Sequence, residues 1–289
     1  MRSKLFVPGS RPDLFEKARA SDADALSFDL EDAVVDSRKV EACQAVQQFL
    51  GSPSSLSSDK RMVVRVNPWG SDHCERDLEA IAGLPIAMVN LPKCESAADV
   101  RASIALLEKF EARGRASQRP GVLANVETAA GLRAAAAIAS CHPRVVGLQV
   151  GYLDLLGPLG IARNDPANVH AVMFAVRMAA GEAGIAAYDG AFADLQDAVG
   201  FREEAEMARR LGFAGKSCIH PSQIATANDV FGADAAEIKQ ARRIIEAARS
   251  AARDGQGAVV VDGEMVDRAT LRRAEALLAR AGSTKVAVE

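Results

Sequence analysis

Short hydrophobic runs alternate with longer amphipathic stretches along most of the chain. Eight of the short runs are rich in aliphatic and β-branched residues and predict β-strands at 4–7, 25–30, 62–66, 86–91, 121–126, 145–150, 185–188 and 215–219. The stretches between them predict helices, among them 13–21, 37–50, 97–113, 168–183 and 194–211. Strands that alternate with helices form parallel sheets, and eight such units predict an α/β protein with a closed (β/α)₈ TIM barrel.

The chain continues past the eighth strand. Helical patterns recur at 222–231, 235–254 and 267–281, with a short strand-like run at 257–261. This segment exceeds what closure of a barrel requires. We therefore expect one functional domain, with the barrel core at 1–222 and a C-terminal helical extension at 223–289. One Ser-rich patch, GSPSSLSSD at 51–59, predicts a surface loop.

Composition narrows the class of protein. The 289 residues are 49% hydrophobic and 25% charged, as in ordinary globular proteins, and a net charge of −3 gives no basic surplus for nucleic-acid binding. The N-terminal sequence lacks the apolar stretch of a signal peptide, and no run approaches the ~18 apolar residues of a membrane span. Five scattered cysteines without a CxxC pair disfavour disulfides and thiolate zinc sites. We expect a cytoplasmic protein with neither nucleic-acid nor membrane partners.

Polar residues concentrate where the predicted strands end. Active sites of such barrels lie at the C-terminal ends of the strands. The runs of this chain end at or near Gly9 to Arg11, Glu31, Asp32, Asn67, Lys93, Glu127, Asp154, Asp189 and His220. The sequence therefore predicts an active site at this end of the barrel.

The alternation of side chains along a strand separates barrel-lining positions from helix-facing ones. It assigns polar side chains to the lining face at Asp29, Glu31, Arg65, Asn67 and Glu127. Barrel interiors are normally filled by aliphatic residues, and an unpaired buried charge costs several kcal/mol, so a polar pocket or a bound ion explains this pattern better. With Asp154 added, carboxylates outnumber the one inward arginine. Oxygen ligands without clustered His or Cys favour Mg²⁺ over Zn²⁺.

Eight segments carry a more specific signal, and they occur in order over nearly the whole chain. They are LFVPGSRPDLFEKA (5–18), FDLEDAV (28–34), VRVNPWG (64–70), LPKCESAADV (91–100), VETAAGL (126–132), DGAF (189–192), GFAGKSCIHPSQI (212–224) and GAVVVDGEMVD (257–267). Together they resemble the citrate lyase β-subunit-like branch of the HpcH/HpaI aldolase superfamily.

This resemblance implies a fold, an assembly and a reaction. It implies a barrel whose C-terminal extension reaches a neighbouring subunit, usually in a homotrimer. The implied reaction is Mg²⁺-dependent retro-Claisen cleavage of a 3-hydroxy acyl-CoA thioester, such as a citramalyl-, malyl- or citryl-like substrate, into an acyl-CoA and a 2-oxo acid. The implied metal ligands are Glu127 and Asp154.

The resemblance and the chemistry of the side chains also imply roles for further residues. Arg65 is expected to fork onto the substrate carboxylate through paired charge-assisted hydrogen bonds, with Asn67 as a second substrate contact. Arg11 is a candidate for holding the thioester oxygen or the CoA phosphates. The family pattern points to Asp267, supplied by a neighbouring subunit, as the catalytic base.

Two further acids and three alternatives complete the expected site. Glu31 and Asp32 are expected to hold metal-bound waters. Arg65 has the alternative of pairing with acids inside the barrel, Arg11 that of an exposed loop charge, and Asp267 that of an N-cap for the last helix.

Other functions stay open at this point. One is an aldolase on free hydroxy-oxo acids without CoA, and another is the β subunit of a multi-subunit citrate lyase that acts on a substrate carried by an acyl carrier protein. An imine-forming Lys216 would suit an aldolase. A barrel that binds a ligand without turnover is a further alternative, because 157–159 departs from the family pattern.

Overall fold

The computed structural model describes residues 1–114, 118–232, 234–253 and 257–282. The chain divides into two compact units, Met1–Phe231 and Gly232–Glu289. Eight parallel strands form the first unit: β1 Ser3–Pro8, β2 Ala25–Asp29, β3 Arg61–Arg65, β4 Met88–Leu91, β5 Gly121–Val126, β6 Val145–Val150, β7 Ala186–Tyr188 and β8 Lys216–Cys218. Each of the eight predicted strands is present.

The sheet closes on itself. Its strands follow one another in chain order from β1 to β7, and β8 pairs with β1 on the other side. The ring is completed by a parallel bridge between Asp189, just after β7, and Lys216 of β8. There the Asp189 amide donates to the Gly215 carbonyl over 2.8 Å, and the Ser217 amide donates to the Asp189 carbonyl over 3.0 Å. The predicted (β/α)₈ barrel is therefore confirmed.

Helices cover the outside of the barrel. They are α1 Phe15–Arg19, α2 Lys39–Leu50, α3 Pro53–Leu56, α4 Cys74–Ile81, α5 Ala97–Gly114, α6 Ala129–Ser140, α7 Tyr152–Leu156, α8 Pro166–Glu182, α9 Ala198–Arg210 and α10 Ile224–Val230. The helix-facing residues of the strands, such as Leu26 and Phe28, are fully buried beneath them. Phe28 packs with Phe15 and Phe49 at ring-centroid distances of 5.0 and 5.3 Å. The main core therefore lies between the strands and the helices.

The interior of the barrel is less apolar than that of an ordinary TIM barrel. One small apolar layer consists of Val63, Met88, Leu123 and Tyr188. A further set of buried strand residues is polar: Lys4, Ser27, Asn90, Asn125, Gln149 and Ser217. The Lys4 ammonium of β1 donates to the Gln149 side chain of β6. Because β1 and β6 lie on different sides of the ring, this hydrogen bond crosses the interior.

The structure differs from the sequence-based expectation at two places in this unit. The Ser-rich segment at 51–59 contains the one-turn helix α3, which begins because the Ser52 hydroxyl accepts the Ser55 amide and Pro53 occupies the first turn. The first unit also extends past residue 222 to Phe231, because α10 buries Ile224 and Ala227 in the barrel core.

The second unit consists of two helices and a hairpin. Helix α11 (Ala235–Arg253) and helix α12 (Arg268–Gly282) enclose a small core of Ala241, Ile245 and Ala274. Strands β9 (Val259–Val261) and β10 (Glu264–Val266) pair antiparallel. Asp262 and Gly263 both have positive φ, 53° and 84°, as a two-residue hairpin turn requires. Strand β10 was not predicted, and the predicted helix end at Asp254 lies outside the described residues.

The cysteines and the length of the helices bear on two of the sequence-based expectations. All five cysteines fall within the described ranges and are free thiols. Among the helices of those ranges, none combines the length and the apolar character needed to cross a lipid bilayer.

The aromatic cluster provides a test of the core. Phe28→Ala should lower the free energy of unfolding by about 3–5 kcal/mol, because it leaves a cavity between β2 and its covering helices. The matched control is Phe174→Ala, since that ring is 52% exposed and its loss should change stability by about 0.5 kcal/mol or less. Chemical denaturation of both variants measures the difference, and equal losses would contradict this account of the core.

Candidate active site at the barrel mouth

Arg65 lies at the centre of the polar groups that the strand ends bring together. It ends β3, and its Nε and Nη2 atoms each donate to the Asp29 carboxylate of β2 over 2.7 Å. Asp29 also accepts the amides of Glu31 and Ala33, at 3.0 and 3.1 Å. Asp29 is therefore a buried acceptor of four hydrogen bonds. Because Asp29 occupies Nε and Nη2 of Arg65, this pair of donors is not available to a substrate carboxylate.

Glu31 and Asp32 follow β2 and face the remaining nitrogen of Arg65. Arg65 Nη1 lies 2.9 Å from Glu31 Oε2 and 3.6 Å from Asp32 Oδ2. Lys93, which follows β4, donates its ammonium to Glu31 and, over 3.1 Å, to Asp32. Burial raises the pKa of Glu31 to about 7, although the charges of Arg65 and Lys93 oppose that rise.

Lys93 is a site residue that sequence reasoning did not select. Its backbone has φ 48°, in the left-handed region that a residue with a side chain seldom adopts. In this conformation the Lys93 amide donates to Glu127 Oε1 over 2.6 Å, while its ammonium contacts Glu31 and Asp32. The available signal was its place among the polar strand ends, directly after Pro92. One residue therefore links the acids after β2 to the acid after β5.

Glu127 follows β5 and is almost fully buried. Its Oε2 atom accepts from Asn125 Nδ2 over 3.3 Å. The carboxylate lies directly against the backbone of Gly151, so closely that a β-carbon at Gly151 would collide with it. Burial raises the pKa of Glu127, and the charge of Asp154 raises it further, against the amide of Lys93 and the charge of Arg65.

Asp154 belongs to the short helix α7, which begins directly after the Gly151 backbone that Glu127 contacts. Gly151 is the N-cap residue of that helix, and Asp154 is in its first turn. Asp154 itself is exposed, and its charge raises the pKa of the buried Glu127. Shared binding of a metal ion by these two acids stays a prediction.

Acidic side chains outnumber basic ones in these contacts. Asp29, Glu31 and Asp32 pair with the cations Arg65 and Lys93, and burial raises the pKa of both Glu31 and Glu127. In the described part of the chain, no group of three or more His, Cys, Asp or Glu side chains is arranged to hold a metal ion. A pair of carboxylates such as Glu127 and Asp154 fits Mg²⁺, which usually binds one or two carboxylates and keeps several waters.

Asn67 does not lie in this group. Asn67 lies two residues after the end of β3, and partners on the surrounding helices hold its side chain. Its Nδ2 atom donates to Asp77 of α4 over 2.6 Å, and its Oδ1 atom accepts from Lys39 of α2 over 2.6 Å. Asn67 therefore connects the end of β3 to the surrounding helices, and its role as a substrate contact stays a prediction.

Arg11 and Asp267 have the local roles that the sequence also allowed: Arg11 is an exposed loop charge, and Asp267 is an N-cap residue. Arg11 is exposed in the loop after β1 and forms an ion pair of 2.7 Å with Asp13. Asp267 precedes α12 and accepts the amides of Ala269 and Thr270, at 3.0 and 2.9 Å, as an N-cap residue. Its place in the second unit leaves its role in catalysis a prediction.

Lys216 does not face the site. Its ammonium points towards the helices and lies 2.6 Å from Asp189 and 2.7 Å from Glu204 of α9. Although burial opposes the charged form, these two carboxylates raise the pKa of Lys216. An imine requires a neutral amine that a substrate can reach, so this lysine does not support imine chemistry.

Comparison with known proteins decides the family. The family model described as HpcH/HpaI aldolase/citrate lyase matches residues 2–221. The chain belongs to the HpcH/HpaI aldolase/citrate lyase family. The resemblance seen in the eight sequence segments is therefore confirmed, and the match spans nearly all of the first unit.

Relatives in this family extend the match to both units. A (3S)-malyl-CoA thioesterase of Cereibacter sphaeroides is 38% identical over 96% of this chain and 96% of its own length. The citrate lyase subunit beta of Escherichia coli is 37% identical over 97% of this chain and 93% of its own. A crystal structure of CitE from Mycobacterium tuberculosis with magnesium, acetoacetate and coenzyme A is 36% identical, with a TM-score of 0.74, and the match covers 98% of this chain and 100% of that one.

The buried acid Glu31 gives this site a pH-dependent stability. Its raised pKa means that the folded protein holds a proton that the unfolded chain releases, so this contribution is complete below about pH 4.5 and is lost as pH rises through about 7. Glu31→Gln removes the titration. Between about pH 5 and 7.5, its free energy of unfolding should therefore fall less than that of the parent protein, by up to about 3 kcal/mol.

Denaturation in EDTA at several pH values measures this difference. Glu41→Gln is the matched control, because Glu41 is an exposed acid paired with Arg38 on the surface, and its pH profile should follow that of the parent protein. Parallel profiles for the parent protein and Glu31→Gln would show that Glu31 does not retain its proton in the folded state.

Proposed function

We propose that this chain is a Mg²⁺-dependent carbon–carbon lyase that cleaves a 3-hydroxy acyl-CoA thioester into an acyl-CoA and a 2-oxo acid. The observation that supports the proposal is the buried carboxylate of Glu127, which lies against the backbone of Gly151, the N-cap residue of the short helix that carries Asp154. The relatives support it, since one is named for a malyl-CoA substrate and another was crystallised with magnesium and coenzyme A.

Glu127 and Asp154 would hold the metal ion. When bound there, Mg²⁺ would polarise the carbonyl or hydroxyl oxygen next to the carboxylate of a 2-oxo or 2-hydroxy acid. Lys93 fixes one oxygen of Glu127 through its amide, and Asn125 contacts the other. Glu31 and Asp32 would accept hydrogen bonds from metal-bound waters, as expected from the sequence.

Arg65 would orient the substrate carboxylate through one nitrogen. Asp29 occupies Nε and Nη2 and so fixes the plane of the guanidinium, which leaves Nη1 directed towards Glu31 and Asp32. A substrate carboxylate that reaches Nη1 gains a charge-assisted hydrogen bond from a donor that is already held in place. Arg11, exposed beside the mouth, would contact the CoA part of the substrate.

Cleavage requires a base and a leaving carbanion. The base takes the proton from the substrate hydroxyl, the bond between C2 and C3 of the acyl chain breaks, and the hydroxyl carbon becomes the carbonyl of the 2-oxo acid. The acyl-CoA leaves as an enolate and takes up a proton at its α-carbon. We assign the base to Asp267 of a neighbouring copy in a homotrimer, as the resemblance to the family implies; a cytoplasmic location belongs to the same proposal.

The citrate lyase β subunit is the second candidate. It is favoured by the relative in Escherichia coli, which is nearly as similar as the thioesterase. Activity that requires a substrate on an acyl carrier protein, and that is lost with CoA thioesters, would select this candidate. Release of pyruvate from substrates without a thioester would instead select a free hydroxy-oxo acid aldolase.

Glu127→Gln tests the metal site. The variant keeps the size of the side chain but removes one negative ligand, so lyase activity on a panel of malyl-, citramalyl- and citryl-CoA should fall by about 100-fold or more. EDTA should abolish activity of the parent protein, and added Mg²⁺ should restore it. Glu41→Gln, on the exposed side of α2, should keep full activity. Metal-independent cleavage of these thioesters would contradict the proposal.

Mixed oligomers test the origin of the base. Asp267→Asn should be inactive but folded, because Asn is as good an N-cap as Asp. Co-expression of Asp267→Asn with Glu127→Gln should regain measurable activity if the base comes from a neighbouring copy, since some barrels then have both an intact metal site and an intact partner. Complete inactivity of the purified mixed oligomers would place the base in the same chain or assign it to another residue.

A further inference from the structure

The DGAF segment at 189–192 builds a second polar cluster that the proposed chemistry does not use. Asp189 is fully buried after β7. Its Oδ1 atom accepts from the Tyr152 hydroxyl over 2.6 Å and from the Gly190 amide over 2.8 Å. Its Oδ2 atom lies 2.6 Å from the Lys216 ammonium. The carboxylate therefore joins three elements of the barrel, namely α7, the β7 end and β8.

The cluster continues to the face of the Tyr152 ring. Lys216 contacts Glu204 over 2.7 Å, and Glu204 accepts both Nη atoms of Arg163 at 2.7 and 2.9 Å. The guanidinium carbon of Arg163 lies 4.3 Å from the centroid of the Tyr152 ring. We call Asp189, Lys216, Glu204 and Arg163 the Tyr152 clamp, because they hold this side chain at its hydroxyl and over its ring.

Backbone packing encloses the same side chain. A β-carbon at Gly190 would lie 2.6 Å from the Val150 carbonyl oxygen and 2.8 Å from the Tyr152 ring. Only glycine allows the end of β7 to approach β6 and Tyr152 so closely. Gly190 therefore packs against Tyr152, the same side chain whose hydroxyl donates to Asp189.

The position of Tyr152 in α7 connects it to the proposed metal site. It is the first residue of α7, it follows the Gly151 backbone that supports Glu127, and it precedes Asp154 by two residues. Helix α7 has five residues, too few to be stable through its own hydrogen bonds. Its orientation is therefore set by the side chains that it buries, Tyr152, Leu155 and Leu156, and Tyr152 provides the hydrogen bond to Asp189.

We infer that Tyr152 is a positioning residue for the metal site: the Tyr152 clamp holds helix α7 so that Asp154 can bind the same metal ion as Glu127. This inference rests on the proposed metal site. It predicts that the Tyr152 hydroxyl controls metal affinity through its hydrogen bond to Asp189. The clamp thereby gives the DGAF segment a role at the barrel mouth.

Tyr152→Phe tests the inference in the full-length protein. The ring and its contact with Arg163 are kept, and Asp189 Oδ1 keeps the Gly190 amide, so the variant should fold. Calorimetric titration with Mn²⁺ or Mg²⁺ without substrate should show metal affinity lowered by about tenfold. The Mg²⁺ concentration for half-maximal activity should rise in parallel, while kcat at saturating Mg²⁺ should change less than twofold.

Tyr188→Phe is the matched control. Tyr188 is the other tyrosine of the chain, is also largely buried, and packs in the apolar layer with Val63, Met88 and Leu123. Among the described residues its hydroxyl is in none of the side-chain hydrogen bonds that hold α7. Its metal affinity should equal that of the parent protein.

The outcomes separate the inference from the proposed function. Unchanged metal affinity in Tyr152→Phe, or an equal loss in Tyr188→Phe, would overturn the positioning role. A lower melting temperature of Tyr152→Phe with unchanged metal affinity would show that the clamp is only structural. If Glu127→Gln binds the metal as well as the parent protein, the proposed metal site itself has failed. Loss of affinity in both Glu127→Gln and Tyr152→Phe, with the control unaffected, supports both.

Discussion

The burial of acids at the barrel mouth is the constraint on which the rest of the structure depends. A carboxylate removed from water needs a partner, and leaving it unpaired costs more free energy than most single contacts return. Here Asp29, Glu31 and Glu127 are buried. Arg65 and two backbone amides hold Asp29, Lys93 spans Glu31 and the exposed Asp32, and the Lys93 amide holds Glu127.

Much of the fold was predictable because it depends on local pattern. Eight hydrophobic runs marked eight strands, and strict alternation correctly directed Asp29, Arg65 and Glu127 to the interior. Asn67 lies as far beyond β3 as Glu31 lies beyond β2, but Asp77 of α4 holds its side chain, so the same rule misplaced it. The helix at Pro53–Leu56 and the hairpin at Asp262 and Gly263 had usable signals, a Ser-Pro start and an Asp-Gly turn.

The rest of the site could not be predicted from the sequence, because it depends on which distant segments meet. Lys93 reaches three acids only through a backbone conformation that its side chain disfavours. The role of Tyr152 became apparent only when the structure placed Asp189, 37 positions later in the chain, against its hydroxyl. Lys216 shows the opposite case: its place on a strand was correct, but the lysine faces the helices because its partners, Asp189 and Glu204, lie there.

The closure of the barrel adds a last consequence. Strands β7 and β8 have three residues each, and they meet through a single bridge, whereas the other neighbours share longer ladders. The ion pairs of Lys216 with Asp189 and Glu204 therefore stabilise a junction that has few backbone hydrogen bonds. Local opening of the barrel should begin at this junction of β7 and β8. Strand β7 also pairs with β6, which leads into α7. Local opening of the barrel and exchange of a bound ion would therefore depend on the same weak junction.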